Sequence, residues 1–175
     1  MPTEPLIVVR VPWICKHAVW SVAEALECLG GNGYVEESGM PRLYREAPLN
    51  SIWEGSGNVN SLDVLRAMAR MPGAMDAFFA ELELGLRVDA RFDAYVATLR
   101  GELAQADEIA HRARRLVERM ALALQGALLM RHGEPAVADA FCASRLAGNG
   151  GRAHGTLPVG IDVRRIVERH APRVS

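Results

Sequence analysis

Residues 29–66, LGGNGYVEESGMPRLYREAPLNSIWEGSGNVNSLDVLR, hold the densest run of glycine, aromatic and charged residues in the chain, and their reading decides the fold. Gly30-Gly31-Asn32-Gly33 permits left-handed or tightly turned backbone and lets main-chain amides come close to a ligand. The same glycines also read as a helix stop followed by a turn, because glycine is enriched just past helix ends. In Ile52-Trp53-Glu54-Gly55-Ser56-Gly57-Asn58 one carboxylate stands between a large indole and flexible backbone. A carboxylate desolvated by such neighbours has its pKa raised toward the range of a general base. Alternatively Glu54 is an acid beside the start of the following helix, with Ser56 or Asn58 as its N-cap. Residue types alone leave both readings open.

Upstream, Trp13, Ile14, Val19, Trp20, Ala23, Leu26 and Leu29 recur at three- and four-residue intervals, which predicts an amphipathic helix over 13–29 closed by Gly30 and Gly31. Residues 32–40 have no clear periodicity and are expected to form a loop. Pro41 opens a short helix through Arg45, and Pro48 breaks the chain. Arg42 and Arg45 share a face of that short helix, either paired with acids such as Glu46 or offered to a phosphate. A helix over 58–70 is expected to bury Leu62, Leu65 and Met68, and Pro72-Gly73 ends it.

Beyond residue 72 the chain reads as helix after helix. The spacing predicts helices over 74–86 and 92–103 with Phe78, Phe79, Leu82, Phe92, Tyr95, Val96 and Leu99 as core. The longest helix is expected over 106–131, charged in its first half and nearly all apolar from Met120 to Met130. Arg112, Arg115 and Arg119 fall on one side of that helix and could meet a duplex phosphate backbone, or be solvated and paired with Glu108 and Glu118. A helix over 135–146 carries Cys142, read as a buried small residue. Residues 148–155, rich in glycine, lack the GK[ST] ending of a phosphate loop and are expected to be a flexible connection. A last helix over 162–170 places Val163, Ile166 and Val167 on one side.

The chain has 175 residues, half of them hydrophobic and 23% charged, ordinary values for a globular protein. Lys plus Arg number 20 against 21 Asp plus Glu, so no global field draws the chain to nucleic acid or a membrane. Cys15, Cys28 and Cys142 are odd in number and unclustered, which fits neither a disulfide framework nor a zinc site. They read as reduced thiols of a cytoplasmic protein with no metal. The opening residues lack the pattern of a secretory peptide, and no apolar run is long enough to span a bilayer.

Three ordered motifs, EALECLGGNGYVEES (24–38), PRLYREAPLNSIWEGSGN (41–58) and SLDVLR (61–66), resemble the end of the catalytic region of the acyl-CoA dehydrogenase family, most closely its alkylation-response (AidB-like) branch. The resemblance implies an all-α helical bundle in two parts: residues 1–71 as part of the family's C-terminal helical domain, and 72–175 as a helical extension. It implies FAD as cofactor and an acyl-CoA substrate, with Glu54 as the base that removes the α proton and Gly55 packed against substrate. Ser56 and Asn58 would contact the nucleotide half of FAD, and Gly30 and Gly31 the FAD pyrophosphate of a neighbouring subunit in a homo-oligomer. Glu27 stands where many members have Gln, so no flavin contact is carried to it. The AidB-like branch is associated with DNA, which adds double-stranded DNA as a partner for Arg112, Arg115 and Arg119. Against the family the chain is expected to start inside the last helical domain, so catalysis by this chain alone is not expected. A helical DNA-associated module and a purely structural oligomerisation module are the alternatives.

Overall fold

In the computed structural model, which describes residues 4–53, 56–151 and 153–171, every regular element is helical. The expected all-α class holds. Its contacts divide the chain into two units, residues 1–76 with 105–121 and residues 77–104 with 122–175.

The first unit is built on α1, Glu4–Cys28, which at 25 residues is the longest helix among those described, in place of the expected stretch 106–131. It begins well before the expected start at Trp13. Pro5 sits in its first turn, where a missing N–H costs nothing, and Pro12 lies inside the helix, so the apolar rhythm becomes legible only after it. Then follow α2 (Gly31–Tyr34), a 3-10 turn (Glu36–Ser38), α3 (Met40–Glu46), a second 3-10 turn (Ala47–Ser51) and α4 (Gly57–Arg70). Helix α7, Ala113–His132, contributes its first half to this unit. The core here is Ala47, Val64, Ala74, Leu116, Val117, Met120 and Ala121. The face expected to be buried on α1 is only partly so: Trp13, Val19, Ala23 and Leu26 are half-buried, whereas Ile14, Leu29 and Trp20 are exposed, Trp20 to 61%. On α4 the buried residues are Ser61 and Val64, and the expected Leu62, Leu65 and Met68 are half-buried. Ser61 tolerates burial because its hydroxyl donates to the Gly57 carbonyl at 2.7 Å.

The second unit takes up α5 (Pro72–Glu83) from residue 77, α6 (Ala90–Ala104), the second half of α7, α8 (Pro135–Phe141) and α9 (Val163–His170). Phe78, Leu82, Phe92, Tyr95, Val96 and Leu99 are buried as expected, and Phe92 and Leu99 have no exposed surface. Phe79 is only half-buried, with the Arg100 guanidinium 4.1 Å above its ring. Leu122, Ala123, Leu124 and Ala127 of α7 complete this core, which is why that half of the helix carries so few polar residues. Helix α7 starts at Ala113 and not at 106, because residues 107–112 turn, with Glu108 at a φ of 52°.

Asp89 opens α6. Its carboxylate accepts the Arg91 N–H at 2.8 Å and the Arg91 guanidinium at 2.5–3.2 Å, and the same guanidinium reaches Asp139 of α8 at 2.7 Å. Helix α8 continues as a π-helical turn over Cys142–Leu146, in which the Ala147 N–H donates to the Cys142 carbonyl at 2.9 Å. Burial pushes the Cys142 thiol up to about 11, so it packs as an uncharged small residue. On α9 Asp162 caps the Arg165 N–H at 3.0 Å and Arg165 pairs with Glu134 at 2.5 Å. Ile166 is half-buried there, while Val163 and Val167 are exposed. Among the described residues no helix is long and apolar enough to cross a membrane.

Truncating Leu99 to Ala is expected to cost about 2–5 kcal/mol, read as a lower urea midpoint with an unchanged slope. The Arg91 guanidinium holds the Asp89 carboxyl below the usual carboxylate range. A carboxyl lowered in the folded state stabilises above its unfolded pKa of about 3.9, and that contribution is lost as pH falls through the folded value. Asp89→Asn should therefore lower the melting temperature at pH 7 and leave a shallower decline in stability below pH 4 than the wild type shows.

Candidate functional site

The glycine run is where α1 stops. The Leu29 N–H donates to the Leu26 carbonyl at 3.2 Å and the Gly30 N–H to the Glu27 carbonyl at 2.9 Å, and Gly30 then takes a φ of 57°. That left-handed step suits glycine and reverses the chain. Residues 32–40, expected to form a loop, instead fall largely in α2, a 3-10 turn and the first residue of α3. The reason is Gly33, which is buried against α1: a Cβ there would stand 2.0 Å from the Leu26 carbonyl oxygen. Only hydrogen fits, and the close approach lets a glycine-rich segment of poor helical propensity be held as helix.

Gly30 borders an open groove of about 920 Å³ between α1, α2 and α3, with Ala23, Leu26, Tyr34, Val35 and Tyr44 as its apolar and aromatic wall. Glu27, Glu36 and Glu37 line it as well. Arg45 grips Glu36 with two hydrogen bonds of 2.8 and 3.1 Å, which holds that carboxyl below its ordinary value. Arg42 bonds Glu46 at 3.0 Å. Both arginines thus have carboxylate partners, the first of the two readings open for them. Gly31, the first residue of α2, is exposed with nothing within 4 Å of where a Cβ would be.

The second cluster lies at the start of α4. Glu54 and Gly55 lie outside the described residues. Trp53 is 67% exposed, so its indole stands largely in solvent, and it lines a shallow apolar cleft of about 320 Å³ with Val22, Leu43 and Leu49. Ser56 is the N-cap of α4, with extended backbone and its carbonyl accepting the Asn60 N–H at 3.0 Å, but its hydroxyl makes no capping bond. Asn58 is exposed in the first turn. Gly57 lines a cavity of about 170 Å³ with Trp13, Lys16 and His17 of α1 and Arg114 of α7. These partners are scattered along the sequence and carry no motif. Gly30 therefore borders one depression while Ser56 and Asn58 flank Gly57 at another.

An FAD pyrophosphate can be tested against these surfaces. The start of α4 offers first-turn main-chain N–H groups and a Ser56 hydroxyl that makes no capping bond, which suit anionic oxygens. The groove beside Gly30 offers bare main chain but three carboxylates, so it suits the hydroxyl- and amine-bearing parts of a nucleotide better than its charge.

Of the arginine row, Arg115 and Arg119 lie four residues apart on α7 and Arg112 lies just before it. Arg112 precedes α7 and its guanidinium donates to the carbonyls of Gln105 at 2.6 Å and Asp107 at 2.9 Å. Arg115 is exposed and Arg119 half-buried on α7 itself.

Residues 12–69 match the family described as acyl-CoA dehydrogenase, C-terminal domain. The chain is 42% identical over 139 residues to the putative acyl-CoA dehydrogenase AidB of Escherichia coli K12, covering 79% of this chain and 25% of that protein. It is 47% identical over 68 residues to acyl-CoA dehydrogenase family member 11 of Caenorhabditis elegans, covering 39% of this chain and 11% of that one. The crystal structure of Caenorhabditis elegans ACDH-11 in complex with C11-CoA superposes with a TM-score of 0.71 at 26% identity, over 98% of this chain and 33% of that chain. This chain thus spans about a quarter of the bacterial relative and a third of the nematode structure.

Gly33→Ala should destabilise the protein by about 2–4 kcal/mol, because backbone must move to admit the methyl group. Gly31→Ala should be neutral or stabilise by up to about 1 kcal/mol. Parallel thermal melts of the two variants check the pair.

Proposed function

We propose, for a chain whose residues 12–69 belong to the acyl-CoA dehydrogenase C-terminal domain family, that it forms the helical part of an AidB-like flavoprotein and binds the nucleotide half of FAD. Members of this family are flavoproteins. The observation that carries the reading is the start of α4, where a 14-residue helix presents its first-turn amides beside a Ser56 hydroxyl that does not cap them. Ser56 and Asn58 hold anionic oxygens there. Gly30 and Gly31 offer main chain from the other cluster, in a homo-oligomer to the cofactor of a neighbouring subunit. The exposed Ile14, Trp20, Ile52 and Trp53 support such an assembly, since water-facing aromatic and aliphatic groups of this size mark surfaces that become covered.

FAD supplies the acceptor for a hydride when it is bound. The chain's own chemical part is assigned to Glu54, whose carboxylate takes the proton from the carbon next to the thioester carbonyl of an acyl-CoA, with Gly55 giving the substrate room. The division at residues 71 and 72 separates the family domain from a helical extension. The weaker alternative is a double-stranded DNA surface at Arg112, Arg115 and Arg119. Arg112 already spends donors on two carbonyls, which leaves a duplex less to bind.

Mixing the purified chain with excess FAD, desalting, and recording the visible spectrum tests the reading. A retained flavin band is expected, and Ser56→Ala with Asn58→Ala should reduce the retained fraction about tenfold or more with the helical circular dichroism unchanged. A colourless protein after desalting contradicts it.

A further inference from the structure

We infer that α9 is a latch: it docks on α8 through the ion pair of Arg165 with Glu134 and opens as a unit on a glycine-rich connection, while the rest of the second unit stays folded. A helix of eight residues is too short to persist in water by itself, so its packing decides whether it forms. That packing is slight. No residue of α9 is buried, Ile166 is half-buried, and Val163 and Val167 face solvent, whereas α6 buries Phe92, Tyr95, Val96 and Leu99. The helix lies chiefly against α8. The connection that leads to it, residues 147–162, contains Gly148, Gly150, Gly151, Gly155 and Gly160, and the first, fourth and fifth of these hold left-handed φ values of 71°, 72° and 98°. Glycine loses the most conformational freedom on ordering, so releasing this segment returns more entropy than releasing another of the same length.

The ion pair is unequal in its two halves. Arg165 Nε stands 2.5 Å from Glu134 Oε1, and that oxygen is buried, whereas the arginine side chain is 59% exposed. Water already solvates the guanidinium, so the carboxylate is the group that depends on the contact. Glu134 is also the N-cap residue of α8, and its side chain makes no capping bond while Arg165 holds it. When α9 leaves, the carboxylate meets water and the first-turn amides of α8, where negative charge is favoured. Both positions of α9 therefore leave Glu134 satisfied, which is what an element with two positions requires. The unfavourable arrangement is α9 docked without its arginine, because a buried carboxylate oxygen is then stranded.

Hydrogen–deuterium exchange of the full chain, followed by mass spectrometry, tests the latch with α6 as the internal reference. The amides of residues 166–170 are expected to exchange at least about a hundredfold faster than those of residues 95–99. Arg165→Gln should speed exchange in α9 by about another tenfold, and Glu134→Gln, which removes the charge and leaves Arg165 in water, should have a smaller effect. The double variant should exchange more slowly in α9 than Arg165→Gln alone, since no stranded charge remains, and α6 should be unchanged in all three. Equal protection of α9 and α6 in the wild type overturns the proposal. So does Arg165→Gln if it leaves α9 exchange unaltered or accelerates α6 to the same degree, and so does a double variant as fast as Arg165→Gln.

Discussion

The first unit is organised by the approach of Gly33 to the backbone of Leu26, too close for any side chain. Helix α1 ends, Gly30 reverses the chain, and α2 is pressed back against the last turn of the helix it has just left. Tyr34 and the acids of the next turn, Glu36 and Glu37, are thereby brought to the mouth of one groove together with Tyr44 and Arg45 of α3. A run of glycines that local propensity would leave disordered is given one conformation by packing, and the contact is steric, so it imposes geometry without supplying much attraction.

The two clusters singled out by residue type differ in electrostatics. The glycine groove collects Glu27, Glu36 and Glu37, and Arg45 is committed to Glu36. The start of α4 collects Lys16, His17 and Arg114 around a helix end. The assignment of charge to the α4 end and of hydroxyl and amine groups to the glycine end follows from this distribution.

Much of the second unit was legible in the sequence. Phe78, Leu82, Phe92, Tyr95, Val96 and Leu99 fall on helical spacing and are buried, because two amphipathic helices and an apolar half of α7 have no other place for them. Prolines at the starts of α3 and α8 marked those helices. Less was legible where long-range contact decides. The face of α4 is turned toward Ser61 and Val64, and Trp20 is left in solvent, because burial there depends on which neighbours a face meets. Arg112 falls just outside the helix that carries Arg115 and Arg119 because α7 begins at Ala113, after the left-handed turn at Glu108. In the site, the Gly30 turn was readable from glycine itself, whereas Gly33 shows its role only against α1. Lys16 and Arg114 share a cavity without any spacing to announce it.

The central claim is that the start of α4 receives the nucleotide half of FAD while the glycine turn offers its main chain to the cofactor of a neighbouring subunit. Amide nuclear magnetic resonance of the 19.1 kDa chain tests it most directly, because glycine amides fall in a sparsely populated region of the spectrum. Titration with FAD should move the resonances of Gly30, Gly31, Gly57 and Asn58 with one common saturation curve. Shifts confined to the second unit, or a spectrum unchanged at saturating FAD, would contradict the account.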